Sequence, residues 1–261
     1  MRTINLNNFQ VINKILPIIL KSRGANDDGL RLLRHKLFEI LDDIGPKRFV
    51  TIAAGVLKNN FKIKGCNDAR VPLKAIFKVS LGELEEVLLN KDYGLSEEHP
   101  LSILCRDHRD NIDRLKALSS ALGEIKEDVK HERLLNVLKI SKDYYAELDS
   151  HIRKEEDVLF PVLDKYGMKE HPDNLREEHK NFRQINLEAI EVLEGLVREE
   201  PNPEVAKITK FKEKFIPDIS NHIFRETYIF YPAAIEFIDS ADQWEEIGRG
   251  FRAIIRNDKE S

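Results

Sequence analysis

"HIRKEEDVLFP" spans His151–Pro161, and 71 residues further on "HIFRETYIFYP" spans His222–Pro232. Each phrase opens with His, places Glu four residues later and closes in an apolar run ending at Pro. Residues four apart lie on one face of an α-helix, one turn up. His151 and Glu155 can therefore reach one point in space, as can His222 and Glu226. At the same offset His108 falls on His179, within "DHRD" and "EHKN", while His35, His99, His131 and His171 find no histidine partner. The two matched pairs, 108 with 151 and 179 with 222, are each 43 residues apart. This internal repeat predicts two helical hairpins, each with one His on its first helix and His-x-x-x-Glu on its second.

Two such hairpins facing each other across a pseudo-twofold axis bring four imidazoles and two carboxylates into one core. That set is costly to bury unpaired, but it suits a pair of metal ions. Imidazole binds zinc, iron, nickel and copper, and carboxylates add preference for harder ions. Two carboxylates able to bridge favour a dinuclear site holding iron or manganese. A lone His-x-x-x-Glu would read as a solvated surface pair worth about 0.2–0.5 kcal/mol. Two copies in register with a second histidine pair argue against that reading. So do the apolar residues around them, Ile152, Leu159, Phe160, Ile223, Phe230 and Tyr231. Ferritin-like bundles place Glu-x-x-His at three-residue spacing; the reversed order and four-residue spacing here exclude that class.

Outward from the repeat, nearly the whole chain reads as helix. Apolar residues recur at three and four spacing, and strand-like alternation is scarce. Four long helical stretches are expected at roughly 99–122, 131–166, 172–198 and 203–238, with short connections, which is the pattern of an antiparallel up-down four-helix bundle. Pro217, inside the fourth, should kink it or move its start. "LNKDYGLSEEHP" marks a boundary near residue 95, because it is polar, holds a Gly and ends at a Pro suited to a first helical turn. The division is therefore a small helical N-terminal domain at 1–95, the bundle at 96–240, and a C-terminal helix at 241–261 that packs Trp244, Ile247, Phe251 and Ile254 against it. Shorter helices are expected at roughly 6–22, 27–43, 46–59 and 70–89.

The 261 residues carry 41% hydrophobic and 34% charged side chains with a formal net charge of −4. Acids and bases are interspersed, so the concentrated basic footprint of nucleic-acid binding is missing. No apolar stretch reaches the length of about 18 residues that a membrane span needs. Two cysteines, Cys66 and Cys105, are too few for a disulfide framework, and a reducing cytoplasm is the expected location.

The two phrases resemble the His-x-x-x-Glu signature of hemerythrin-like (HHE) cation-binding domains, over about residues 96–240. The resemblance implies an antiparallel four-helix bundle around a non-haem di-iron centre, with manganese and zinc as lesser alternatives. His108, His151, His179 and His222 would be its ligands, and Glu155 and Glu226 its bridges. Oxygen-carrying hemerythrins have a further His four residues after the third-helix ligand; here that residue is Arg183, with Phe182 before it. The resemblance thus implies one iron with a position open to water or a small ligand, and reaction in preference to oxygen carriage. The four-His, two-Glu set is more similar to di-iron proteins implicated in repair of iron–sulfur centres damaged by nitric oxide and oxidants. Those carry an N-terminal module with paired cysteines, which this chain lacks. "IFKVSLGELEE", "HP" at 99–100 and "QWEEIGRGF" resemble an uncharacterised helical domain that precedes hemerythrin-like domains.

Three functions follow. One is a di-iron protein that handles oxygen, nitric oxide or peroxide in stress response, scavenging or repair. Another is a sensor or adaptor whose N-terminal domain signals to a protein partner. The last is a structural bundle holding a redox-silent ion such as zinc. No catalytic residue is assigned, and whether the chain is an enzyme stays open. Other residues read more plainly. His99 lies nine residues before His108, about 13.5 Å along a helix, and is expected at a helix start or on the surface. His131 is 20 residues, about 30 Å of helix, before His151. His35 is expected on a helix, half-exposed, and His171 in a loop. Cys105 is expected in the core or beside the metals, and Tyr144, Tyr145 and Tyr228 could donate to a bound ligand. A rotation of about 100° per residue turns Glu156 away from Glu155 to the surface, and Arg183 is expected to point to solvent.

Overall fold

The computed structural model describes residues 6–21, 28–45, 48–49, 51–53, 55–56, 80–89, 91–127, 130–168, 170–198 and 205–260. All regular structure among them is helical. Cys66 and half of each of the helices expected at 46–59 and 70–89 lie outside the described residues. In order come α1 (Leu6–Lys21), α2 (Asp28–Ile44), α3 (Leu81–Leu89), α4 (Pro100–Glu127), α5 (His131–Arg153), a π-helical turn (Lys154–Leu159) and α6 (Phe160–Lys165). Then follow α7 (Glu170–Val197), α8 (Val205–Lys210), a second π turn (Phe211–Phe215), α9 (Ile216–Arg225), a third π turn (Glu226–Phe230), α10 (Tyr231–Phe237) and α11 (Ala241–Glu260). The chain is helical without a break from His131 to Lys165 and from Val205 to Phe237.

By its contacts the chain forms two compact units, one of residues 1–79 with 224–233 and one of residues 80–223 with 234–261. In the first, α1 buries Ile12, Leu16 and Ile19, and α2 buries Leu37, Phe38 and Leu41. The ring of Phe38 lies 4.4 Å from that of Phe224, which stacks on Tyr228 at 4.7 Å.

In the second unit, α4 begins as its sequence requires. Pro100 occupies the first helical position, where a missing N–H costs nothing, and His99 Nδ1 accepts the Leu101 N–H at 3.2 Å. His99 is thus the expected helix-start residue, its ring 4.5 Å from the Trp244 indole. Contacts between α4 and the α5 stretch pair Glu124 with Arg133, Arg114 with Glu147 and Asp107 with Lys154. Partners rise along one helix as they fall along the other. The α5 stretch meets α7 in the same sense, through Lys142–Glu194, Asp149–Arg183 and Glu156–His179. On α11, Ile247, Phe251 and Ile254 are buried, and Gly250 presses so closely on the first π turn that a Cβ there would sit 2.7 Å from Val158 Cγ1.

The three π turns have one local cause. Within an α-helix a proline ring meets the carbonyl four residues back and offers it no N–H. In each turn the residue just before a proline reaches back five residues instead: Phe160 N–H to Glu155 O before Pro161, Ile216 to Phe211 O before Pro217, and Tyr231 to Glu226 O before Pro232. Each proline therefore stands where the register changes. Pro217 widens the preceding turn and leaves the helix continuous. In both His-x-x-x-Glu phrases the carbonyl that accepts the wide bond belongs to the glutamate itself, and single π turns of this kind concentrate at functional sites.

Candidate metal centre

His108 projects from α4, His151 from the end of α5, Glu155 from the first π turn, His179 from α7, His222 from α9 and Glu226 from the third π turn. All six are buried, with exposures of 0–3%. The hairpin pairs meet as the repeat requires: the rings of His108 and His151 lie 4.6 Å apart, and those of His179 and His222 lie 4.8 Å apart. Two groups of potential ligand atoms result, one of Glu155, His179, His222 and Glu226 and one of His108, His151 and Glu226, each within 4.8 Å. Glu226 belongs to both. Glu155 Oε2 also stands between the halves, 3.3 Å from His179 Nε2 and 3.8 Å from His151 Nε2.

The outer nitrogens of three imidazoles meet carboxylates. His151 Nδ1 lies 3.4 Å from Asp107 Oδ2, His179 Nδ1 lies 3.0 Å from Glu156 Oε1, and His222 Nδ1 lies 2.8 Å from Glu178 Oε2. A carboxylate at Nδ1 fixes the ring proton there and leaves Nε2 as a bare donor to metal. In that tautomer the His179 and His222 Nε2 atoms, 2.9 Å apart, present two lone pairs to each other. Two unprotonated ring nitrogens this close repel unless a cation stands between them, and imidazole is a donor that divalent metals take. Spacing, burial and donor set all fit a bound cation. Aromatic neighbours hold the rings in place: Phe160 stacks on His179, and Phe182 meets His222 edge-on at 5.0 Å.

Neighbouring donors and charges hold two of these carboxyls, Asp107 and Glu156, below the usual range. Burial alone would raise the Asp107 carboxyl, but the hydrogen bond from His151 and the ammonium of Lys154, 2.8 Å away, hold it below the usual range. Lys154 is itself 5% exposed. Burial likewise acts to raise Glu156, and the hydrogen bonds of His179 and Arg183 outweigh it. Arg183 donates to Glu156 Oε2 and to Asp149 Oδ1, both at 2.8 Å.

Two sequence expectations are thereby corrected. Glu156 does not face away to the surface, and Arg183 does not point to solvent. Glu156 is turned from Glu155 as expected, but the face it occupies is the one against which α7 packs, so its carboxylate meets His179 and Arg183 and not solvent. The acids Asp107 and Glu178 were not singled out, although the repeat carries the signal: an acid immediately precedes each first-helix His in "DHRD" and "EHKN". At the same offset Lys154 falls on Arg225. Among the other candidates, Cys105 is in the core, where burial pushes its thiol up to about 11. Tyr144 is wholly buried, and burial raises its hydroxyl too. Tyr145 is half-buried and Tyr228 buried, and His131 is exposed at the start of α5.

The hemerythrin HHE cation-binding domain family matches residues 99–234, a span that contains every residue of both ligand groups. The chain belongs to that family. Over 146 residues this HHE-domain chain is 27% identical to a probable iron-sulfur cluster repair protein of Haemophilus influenzae (strain ATCC 51907 / DSM 11121 / KW20 / Rd), covering 53% of this chain and 63% of the relative's length. No solved structure matches it. No helix among the described residues is long and apolar enough to cross a membrane.

Proposed function

We propose that this chain is a non-haem di-iron protein of the cytoplasm that handles oxygen, nitric oxide or peroxide, in scavenging or in repair of damaged iron centres. The observation that carries this reading is the pair of buried ligand groups joined by Glu226 and approached from both sides by Glu155. His108 and His151 would hold one iron, and His179 and His222 the other. Glu155 and Glu226 would bridge them. Residues 96–240 would form an antiparallel four-helix bundle, with 1–95 as a separate helical module and 241–261 as a helix packed against the bundle. The name of the Haemophilus influenzae relative supports iron-centre repair in particular.

When bound, such a centre supplies one-electron exchange with a small diatomic or oxidising molecule. The chain's own part is to aim the Nε2 atoms of His151, His179 and His222 inward, keep the protons on their outer nitrogens through Asp107, Glu156 and Glu178, and exclude bulk water with Phe160 and Phe182. Because Arg183 occupies the place of a fifth histidine and is held by carboxylates, the chain offers no further imidazole there.

The test is iron content and optical spectrum after anaerobic reconstitution with ferrous iron, followed by oxygen or nitric oxide. About two irons per chain, as the two groups require, with spectral change on adding either gas, is the expected result. One iron per chain or none overturns the di-iron reading, and a reversible oxygen adduct released on degassing overturns the reactive one.

A further inference from the structure

The repeat that builds the centre is broken at one place. Asp107–His151–Lys154 has its sequence counterpart in Glu178–His222–Arg225, and in both halves the acid meets the histidine's Nδ1. The chain Asp149–Arg183–Glu156–His179 has no such counterpart. At the same offset Asp149 falls on Ser220, Arg183 on Ile112, Glu156 on Thr227 and His179 on His108. Ser220, Ile112 and Thr227 are 0–2% exposed and carry no charge. Asp149, Arg183 and Glu156 keep side-chain exposures of 19–26%. The Asp149–Arg183–Glu156 clamp is thus an addition to the repeat, made of charged residues whose sequence counterparts are neutral.

The clamp is built for rigidity. A guanidinium presents its N–H groups as a planar fork. Here Nε is given to Asp149 on α5 and Nη1 to Glu156 on the π turn, each at 2.8 Å. Asp149 is further held by Arg153 Nε at 3.0 Å. With one carboxylate oxygen fixed by Arg183, the other Glu156 oxygen is aimed at His179 Nδ1 at 3.0 Å.

We propose that Arg183 is a positioning residue that acts through Glu156 to orient His179, so that the metal position of Glu155, His179, His222 and Glu226 depends on a clamp that the sequence repeat does not carry over to the counterpart residues around His108. The two positions are therefore inequivalent despite the repeat. Outer partners of ligating histidines commonly change metal affinity by about 10–100-fold. Loss of Arg183 weakens one of two ions by that factor and leaves the other as it was. This inference rests on the two-metal reading above.

The experiment is titration of the full-length, metal-stripped protein with cobalt(II) against a competing chelator, read by visible absorption and metal count. It compares wild type, R183A, R183K, E156Q, R183A/E156Q and the exposed-charge control K180A. Unfolding of the metal-free forms is followed alongside. The expected result is two ions in wild type and K180A, with one ion weakened about 10–100-fold in R183A and its absorption band altered. R183K should recover only part of this, because an ammonium cannot serve both carboxylates as a fork does. R183A should add nothing to E156Q. R183A that binds both ions as wild type does overturns the proposal, even if the metal-free protein is destabilised. Equal weakening of both ions overturns the inequivalence, and a further loss of R183A on E156Q overturns action through Glu156. Wild type that binds no cobalt fails the underlying metal reading, an outcome distinct from all of these.

Discussion

Replacing Asp107 with alanine leaves Lys154 without the carboxylate it meets at 2.8 Å, at a place where the lysine side chain is only 6% exposed. Removing one partner of a buried ion pair costs about 3–5 kcal/mol, because the remaining charge is desolvated without compensation. Asp107 is 19% exposed, so water reaches the gap, and the low end, about 3 kcal/mol, applies. For a chain of this size each kcal/mol moves the melting temperature by about 2–4 °C, so the metal-free D107A protein should melt roughly 6–12 °C lower. Removing both charges is the informative step. K154M in the D107A background replaces a stranded ammonium with an apolar side chain of similar length and should recover about 2 kcal/mol, within the range expected for residues in contact. The assay is urea denaturation of wild type, both single variants and the double variant, metal-stripped at pH 7, followed by far-ultraviolet circular dichroism. D107A within about 0.5 kcal/mol of wild type, the ordinary range for a surface change, would refute the buried pair. A double variant less stable than D107A would refute the coupling.

The pH dependence of the same pair has a definite sign. The Asp107 carboxyl lies below its ordinary value of 3.8 in the folded chain, so it contributes stability above that pH and loses it as the pH falls through the folded value. The stability gap between metal-free wild type and D107N should therefore close in acid as the pH falls below 3.8; a gap that widens there contradicts the assignment. Gly250→Ala should destabilise by about 1–3 kcal/mol, the usual cost of overpacking, since its Cβ would meet two methyl carbons of Val158 at 2.7 and 3.0 Å. G250A/V158A should restore the denaturation midpoint toward that of V158A alone.

The family was legible through the resemblance of the two phrases, and the helical class and the gathering of six His and Glu side chains in the core were legible because they depend on spacing. Four-residue intervals on a helix and a repeat at one fixed offset survive without knowledge of neighbouring helices. The start of α4 at Pro100 was equally readable, since a first-turn proline acts within its own helix. The outer carboxylates were harder. Asp107 and Glu178 reach histidines 44 residues away, so nothing local marks them, although the repeat sets both acids beside a histidine. Glu156 and Arg183 were misread for a physical reason. Sequence periodicity gives the angle between neighbours on one helix, but not which helix packs beside the face that each of them occupies. Only the packing of α7 beside the first π turn supplies His179 and Arg183 as partners for the Glu156 carboxylate, and Glu156 and Asp149 as partners for Arg183.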